Sequence, residues 1–153
     1  MKKIVLPLLM LCFLGFSGCQ KHEIIFDHPF VYITTNPDLT SSTDVVDCQA
    51  RVQRTYYIVL SSKTLDEELV VNYDLVPENG LTENEDYQLL SARSVVFSVG
   101  LYVIPIRIQW LPKQVDPTKL NTLKIVLTNN SMNFTMGFPG PEKNNSVFTI
   151  TKY

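Results

Sequence analysis

The chain has 153 residues, of which 45% are hydrophobic and 18% are charged, and its formal net charge is −2. This length suits one domain with one sizeable core. The slightly acidic balance excludes a basic nucleic-acid-binding surface as the default interpretation, so we expect no nucleic-acid partner. The high hydrophobicity, with only 9 Pro and 6 Gly, excludes a disordered chain.

The N-terminus has the three parts of a secretory signal peptide. Met1–Lys3 is a positively charged start, Ile4–Phe16 is an apolar run of 13 residues, and the small residues Ser17 and Gly18 follow. This order is typical of a segment that is cleaved on export. A bilayer span needs about 20 apolar residues, so a retained membrane anchor is the less favoured alternative. We expect residues 1–18 to be removed.

The next residue, Cys19, predicts a lipid anchor. Phe16-Ser17-Gly18-Cys19 resembles the bacterial lipobox, with Phe16 in a position where Leu is usual. The resemblance implies that the chain is cut before Cys19 and that the Cys19 thiol carries diacylglycerol, with acyl chains such as palmitate. Two acyl chains hold a protein stably on a membrane. The mature chain would keep 11 Lys and Arg against 15 Asp and Glu, a net charge of −4.

Residues 19–28 are predicted to form a lipidated tether, and residues 29–153 the folded domain. Gln20-Lys21-His22-Glu23 resembles the export signal that follows the lipidated Cys in surface lipoproteins of Bacteroidota. This resemblance implies an outer-membrane protein displayed on the cell surface. A generic hydrophilic spacer is the alternative interpretation.

Cys48 has no cysteine partner, because Cys12 leaves with the signal peptide and Cys19 carries the lipid. An unpaired thiol in an exported chain can form an intermolecular disulfide or act as a nucleophile. No histidine lies in a catalytic pattern with it. We therefore interpret Cys48 as a small apolar side chain buried in a strand.

The remaining chain predicts an all-β domain. Only two alanines, the best helix formers, occur in the chain, whereas Val, Ile and Thr make up 37 of the 135 residues after residue 18. Apolar and polar residues alternate with period two, as in Leu69–Leu75 and Ile104–Trp110. Pro105 within the second of these predicts an edge strand or a bulge.

The predicted strands cover residues 30–35, 45–61 (long, bent or broken in two), 68–76, 86–91, 94–99, 102–110, 122–129 and 146–152. About seven to eight short strands separated by turns indicate an antiparallel immunoglobulin-like sandwich, and Asp116–Leu120 is expected to form one helical turn.

Residues 68–129 resemble Calx-β domains and similar Bacteroidota lipoprotein domains of unknown function. The residues that carry this resemblance are Asp86-Tyr87, Phe97–Gly100, Ile104-Ile106-Ile108, Asp116 and Leu123-Ile125-Leu127. The resemblance implies an immunoglobulin-like sandwich in which Tyr87 packs at a corner and Gly100 turns a hairpin. Because Calx-β modules can bind calcium through clustered acids, it also implies a calcium site, for which the candidates are Glu83, Glu85, Asp86 and Asp116. A solvated acidic loop is the alternative, which we favour, so we expect no cofactor.

The sequence carries no recognisable catalytic constellation. His22 and His28 are its only histidines, and both precede the domain. A histidine-based triad or zinc cluster therefore cannot be assembled there. Phosphate-binding glycine loops, nucleophile elbows and Cys-x-x-Cys pairs do not occur. We expect the protein not to be an enzyme.

Three aromatic residues are candidates for ligand binding. Phe134 and Phe138 lie in Asn129–Asn145, a long Asn-rich segment of the kind that is often functional. Their rings could stack on sugars or fit a partner, or could simply plug the end of the sandwich. Trp110, the single tryptophan, could likewise be a sugar platform, but its alternation with Ile104, Ile106 and Ile108 favours the core.

These features together predict a non-enzymatic lipoprotein of the bacterial outer membrane, attached through its N-terminal lipid. The Calx-β-like resemblance implies an accessory binding or structural module beside a glycan-uptake system. Its expected partners are a polysaccharide or another envelope protein. The alternative is an adhesin or a pilus-type assembly subunit, which would exchange an edge strand with its neighbour.

Overall fold

The computed structural model describes residues 28–153, and this range consists of strands and loops without a helix. The strands are β1 (Phe30–Thr34), β2 (Thr43–Val46), β3 (Val52–Ser61), β4 (Leu69–Pro77), β5 (Tyr87–Leu89), β6 (Ser94–Phe97), β7 (Val103–Trp110), β8 (Thr122–Asn130), β9 (Thr135–Met136) and β10 (Val147–Lys152). Every predicted strand has a counterpart. The signal peptide, Cys19 and tether residues 19–27 lie outside the described residues.

The strands form two five-stranded sheets packed as a sandwich, which confirms the predicted fold class. Sheet A has the order β5-β7-β3-β1-β9 and sheet B the order β2-β10-β8-β4-β6. The run β1-β3-β7-β5 corresponds to immunoglobulin strands A-B-E-D, and the run β4-β8-β10 to strands C-F-G. Most neighbours are antiparallel, but β2 lies parallel to β10 and β9 parallel to β1. Consecutive strands always lie in opposite sheets, so each connection crosses from one sheet to the other.

The core lies between the sheets and follows the period-two alternation. In β7, Ile106, Ile108 and Trp110 are fully buried, while Pro105 and Arg107, which alternate with them, are exposed. In β4, Leu69, Val71 and Tyr73 are buried in the same way. Full burial of one such aliphatic or aromatic side chain contributes about 1.5–3 kcal/mol. Alternation therefore accounts for both the strands and the core they build.

One local prediction is confirmed and two are corrected. The segment at 45–61, predicted to be long and bent or broken in two, is broken into β2 and β3, because residues 47–51 form a turn in which the Ala50 N–H donates to the Asp47 carbonyl at 3.1 Å. Gly100, at φ 83°, does turn the chain, but it joins β6 of sheet B to β7 of sheet A and so makes no hairpin. Asp116–Leu120 forms a turn and not a helical turn.

Pro105 occupies a position where β7 has one neighbour. β7 pairs with β3 over its whole length, but β5 pairs with β7 only at Ile108–Trp110. The Leu60 N–H bonds to the Tyr102 carbonyl at 2.8 Å, so by alternation the Pro105 nitrogen points away from β3. The missing N–H thus faces a free edge, as the sequence predicted.

The two ends of the sandwich carry different loops. At the tether end, where β1 begins, lie residues 62–68, 98–102 and 131–134; at the far end lie residues 47–51, 78–86 and 111–121. None of the described residues belongs to a helix that could cross a bilayer.

Candidate functional site

The outer face of sheet A carries a group of partly exposed rings, which we call the aromatic platform: Phe30, Tyr32, Tyr57 and Phe138. The ring centroid of Tyr32 lies 5.9 Å from that of Phe30 and 4.8 Å from that of Phe138, and the Phe30 and Phe138 centroids are 5.7 Å apart. The outer face of an antiparallel sheet that meets water is normally polar. An aromatic cluster on such a face indicates a contact surface.

Register places Tyr57 beside this cluster. Tyr32 faces Val59 across β1 and β3, and Tyr57 faces Thr34 one row further along. Diagonal neighbours of this kind have Cα atoms about 7–8 Å apart, within reach of aromatic rings. Val59 also points outward but is only 8% exposed, so its neighbours cover it. The platform therefore has rings on two neighbouring strands, β1 and β3.

Phe138 reaches the platform because the segment after β9 is fixed to β1. The Gly137 N–H donates to the Val31 carbonyl at 2.7 Å, and the Phe138 N–H donates to the Asn144 carbonyl at 2.7 Å. Gly137 has φ 85°, and a Cβ there would lie 2.3 Å from the Lys143 carbonyl oxygen. The side-chain amide of buried Asn145 donates to the Ile33 and Ser41 carbonyls, each at 2.9 Å.

Polar rows continue the face toward the far end. Thr55 faces Arg107 across β3 and β7. In the next row Gln109 faces Gln53 on one side and Gln88 on the other. The amides and the guanidinium in these rows are hydrogen-bonding groups that lie beside the aromatic rings.

Phe134 lies in a different place from Phe138. It lines a groove of about 460 Å³ at the tether end, together with Pro29, Met132, Leu65 and loop residues 62–67. Asn130 fixes this loop, because its side-chain oxygen accepts the Phe134 N–H at 2.8 Å. Phe134 thus partly plugs the end of the sandwich, whereas Phe138 belongs to the sheet face.

Trp110 is not a ligand platform. Its side chain is fully buried, and its ring centroid lies 5.9 Å from that of Tyr87, which is also buried. The alternation with the isoleucines of β7 decides its position. The core interpretation of Trp110 is therefore confirmed and the sugar-platform hypothesis is wrong.

Asp86, a calcium candidate, lies in a buried ion-pair network. Its carboxylate is 2.8 Å from Lys152 Nζ and 3.2 Å from Lys113 Nζ, and it accepts the Thr82 N–H at 3.0 Å. Burial by itself raises the pKa of Asp86, but the hydrogen bonds from Lys152, Thr82 and Lys113 outweigh it, so the pKa is lowered. Asp86 and Lys152 are each 1% exposed.

The other acidic candidates are also engaged. Glu85 lies 2.6 Å from Lys113 Nζ, and Glu83 lies 3.2 Å from an Arg93 guanidinium nitrogen. Asp116 accepts a main-chain N–H and a hydroxyl from the threonine two residues later. Within residues 28–153, no three His, Cys, Asp or Glu side chains are grouped so that they could hold a metal ion. The favoured interpretation, a solvated acidic loop, is wrong for Asp86, because its side chain is buried in an ion-pair network. Calcium binding stays the less favoured sequence-based hypothesis.

Cys48 is buried, at 6% exposure, as the apolar interpretation predicted, although it lies in the turn after β2 and not within a strand. Its main-chain N–H donates to the Tyr153 carbonyl at 2.6 Å. The side-chain amide of Gln49 donates to its sulfur at 3.5 Å.

No protein-family model matches the chain, and no curated protein matches it at a significant level. Among solved structures, the chain is similar to a protein of unknown function from Bacteroides ovatus, with 16% sequence identity and a TM-score of 0.52. The match covers 80% of this chain and 46% of that chain, so this chain spans a little under half the length of its structural relative. At this level of identity the likeness shows a shared fold.

Proposed function

We propose that the protein is a non-enzymatic, lipid-anchored module of the bacterial cell envelope that binds polysaccharide through the aromatic platform. The observation that carries the proposal is the contact between Phe30, Tyr32 and Phe138 on an outer sheet face. Aromatic rings offer large apolar contact area, and the tyrosine hydroxyls add hydrogen bonding at the edge. Sugar rings present matching apolar faces and hydroxyl rims.

The shape of the site supports an extended ligand. The platform and the polar rows lie on one sheet face that runs along the strands, whereas the groove at Phe134 is confined to one end. Successive rows on a strand face are about 7 Å apart. A face of several rows suits a chain of sugars more than a single small molecule.

The anchor would hold this face close to the membrane. The ten residues 19–28 can span at most about 36 Å when fully extended, which is about the length of a ten-residue strand such as β3. A binding module on so short a tether would act beside a membrane protein. Such an accessory role beside a glycan-uptake system is part of the proposal.

The adhesin alternative receives less support. Strand exchange in pilus-type assembly needs a sheet completed by a partner's strand. Here β10 lies between β2 and β8, so the same chain supplies this interior strand of sheet B.

The test is retention of the detergent-solubilised mature lipoprotein on a panel of immobilised polysaccharides. For the glycan that is bound, Phe138→Ala is expected to weaken binding about tenfold, the change that corresponds to 1.4 kcal/mol. Tyr153→Ala is the matched control, because Tyr153 is an exposed ring at the far end. Retention on no glycan would overturn the proposal, and loss only in Phe134→Ala would move the site to the end groove.

A further inference from the structure

The outer face of sheet A is almost free of charge. Of the outward-pointing residues on β1, β3, β5 and β7, Arg107 alone is charged. The outer face of sheet B differs, because its charges are paired: Asp74 lies 3.8 Å from Arg93, and Lys124 contacts Glu78. Arg107 is thus an isolated cation on a chain whose acidic residues outnumber its basic ones.

The main chain of Arg107 is fixed while its guanidinium is available. The Arg107 N–H donates to Ser91 Oγ at 2.9 Å, and its carbonyl accepts the Leu90 N–H at 2.9 Å. Within residues 28–153 the guanidinium makes neither an ion pair nor a hydrogen bond. Its side chain is exposed. An exposed guanidinium presents a planar fork that matches a carboxylate.

Arg107 lies close to the aromatic platform. The row of Arg107 and Thr55 is next to the row of Pro105 and Tyr57, a separation of about 7 Å. Gln109 and Gln88 lie in the row on the other side. A ligand that stacks on the platform and extends along the sheet would therefore pass the guanidinium before it reaches the amides.

An acidic residue, Asp38, lies near Tyr32 on the β1 side of the platform. Burial and the charge of Asp38 raise the pKa of Tyr32, and Asp38 belongs to the loop after β1, whereas Arg107 belongs to β7. β3 separates β1 from β7 in the sheet. The face therefore has a direction, with its positive side at β7.

We propose that the polysaccharide is acidic, and that Arg107 binds the carboxylate of a uronic acid unit while neighbouring sugars stack on the aromatic platform. This inference rests on the proposed function and adds the ligand class. In the adjoining row, the Gln88 amide would exchange hydrogen bonds with sugar hydroxyls, and the Gln109 side-chain oxygen would accept one, since Gln109 Nε2 already donates to the Trp110 carbonyl at 3.0 Å. The carboxylate gains a charge-assisted, bidentate partner that a neutral sugar lacks.

The test uses one polysaccharide in two charge states: polygalacturonate and the same backbone after methyl esterification, which neutralises its carboxylates. The wild-type lipoprotein is expected to bind the acidic form at least about tenfold more tightly. Arg107→Gln should abolish this preference without affecting binding to the ester. Arg107→Lys should retain part of it, because lysine keeps the charge and loses the fork. Arg51→Gln is the matched control, since Arg51 is exposed in the β2–β3 turn at the far end.

The possible outcomes show whether the acidic-ligand inference fails alone or together with the polysaccharide site. Equal binding to both forms, or a preference that persists in Arg107→Gln, would overturn the acidic-ligand inference and leave the polysaccharide site in place. Binding to neutral glycans with no retention on polygalacturonate would do the same. Failure to bind any polysaccharide would overturn both.

Discussion

Lys152 is a cation at an inward position of β10, following Phe148 and Ile150 on the same face. Its ammonium donates to Asp86 at 2.8 Å and to the Leu111 carbonyl at 3.1 Å. A buried charge that loses its partner keeps its desolvation cost, so removing one member is far more harmful than removing both. The pair therefore ties the last strand to the turn before β5.

Replacing Lys152 by Ala is expected to lower the free energy of unfolding by about 3–5 kcal/mol, because it leaves the Asp86 carboxylate buried and undercompensated. Urea unfolding of the purified protein measures this. The double variant Asp86→Asn/Lys152→Met should recover part of the loss. Lys124→Ala, which breaks the more exposed Lys124–Glu78 pair, is the control and should cost much less. Equal losses in the two lysine variants would contradict a buried-pair role.

The same pair should make stability depend on acid. The pKa of Asp86 is lower in the folded protein than its ordinary value of 3.8. The stabilisation that the ionised carboxylate contributes is therefore fully present above this ordinary pKa, and it is lost as the pH falls through the pKa of the folded state. Urea unfolding at pH 7, 5 and 3 should show little change between the first two and a loss at the third. Between pH 5 and pH 3, Asp86→Asn should lose less stability than the wild type, because it lacks the carboxylate that takes up the proton. An unchanged slope in Asp86→Asn would mean that other groups carry the acid sensitivity.

Sequence pattern predicted which residues point inward but not what they meet. The alternation of β7 was sufficient to place Trp110 in the core, and the same rule applied to Phe148, Ile150 and Lys152 would have marked Lys152 as a buried cation. Its partner Asp86 could not be read in the same way, because the contact joins residues 66 positions apart. The aromatic platform could not be predicted for the same reason, since Tyr32 and Phe138 meet only once β9 lies beside β1.

At the scale of elements, strand positions were predictable and strand neighbours were not. Period-two alternation determines which face of a strand is buried, and it carries no information about the adjacent strand. For this reason the predicted Gly100 hairpin is a crossing between sheets, and the predicted break within 45–61 separates two strands that lie in different sheets. The short β9 has two residues, too few to show any period.

The side-chain hydrogen bonds of Asn145 hold the segment between β9 and β10 in place. Asn145→Ala removes the donors to the Ile33 and Ser41 carbonyls, and leaving such groups unsatisfied costs about 1–3 kcal/mol. We expect a lower melting midpoint, faster limited proteolysis within residues 137–146, and weaker glycan binding through Phe138. Asn144→Ala is the control, because the Asn144 side chain is exposed while its main-chain carbonyl stays available to Phe138. Equal protease sensitivity of the two variants would contradict the role of Asn145.

At the scale of the whole molecule, the proposed anchor predicts where the protein is found. Cys19→Ser removes the thiol that would accept the lipid, so labelling with an acyl-chain analogue should be lost and the protein should leave the membrane fraction. Lys21→Ser is the control and should keep both properties. Acylation that persists in Cys19→Ser would exclude this anchor. Protease treatment of intact cells separately tests surface display, which protection of the domain until lysis would rule out.

The alternation of consecutive strands between the two sheets also has a kinetic consequence. Every pairing among the described strands joins elements at least two apart in chain order, so fast local hairpin formation cannot start the fold. Sheet B stays in two pieces until β10 enters between β2 and β8. Folding dominated by such distant pairings takes milliseconds to seconds. Sheet B therefore cannot be completed before β10 is available to pair with both β2 and β8.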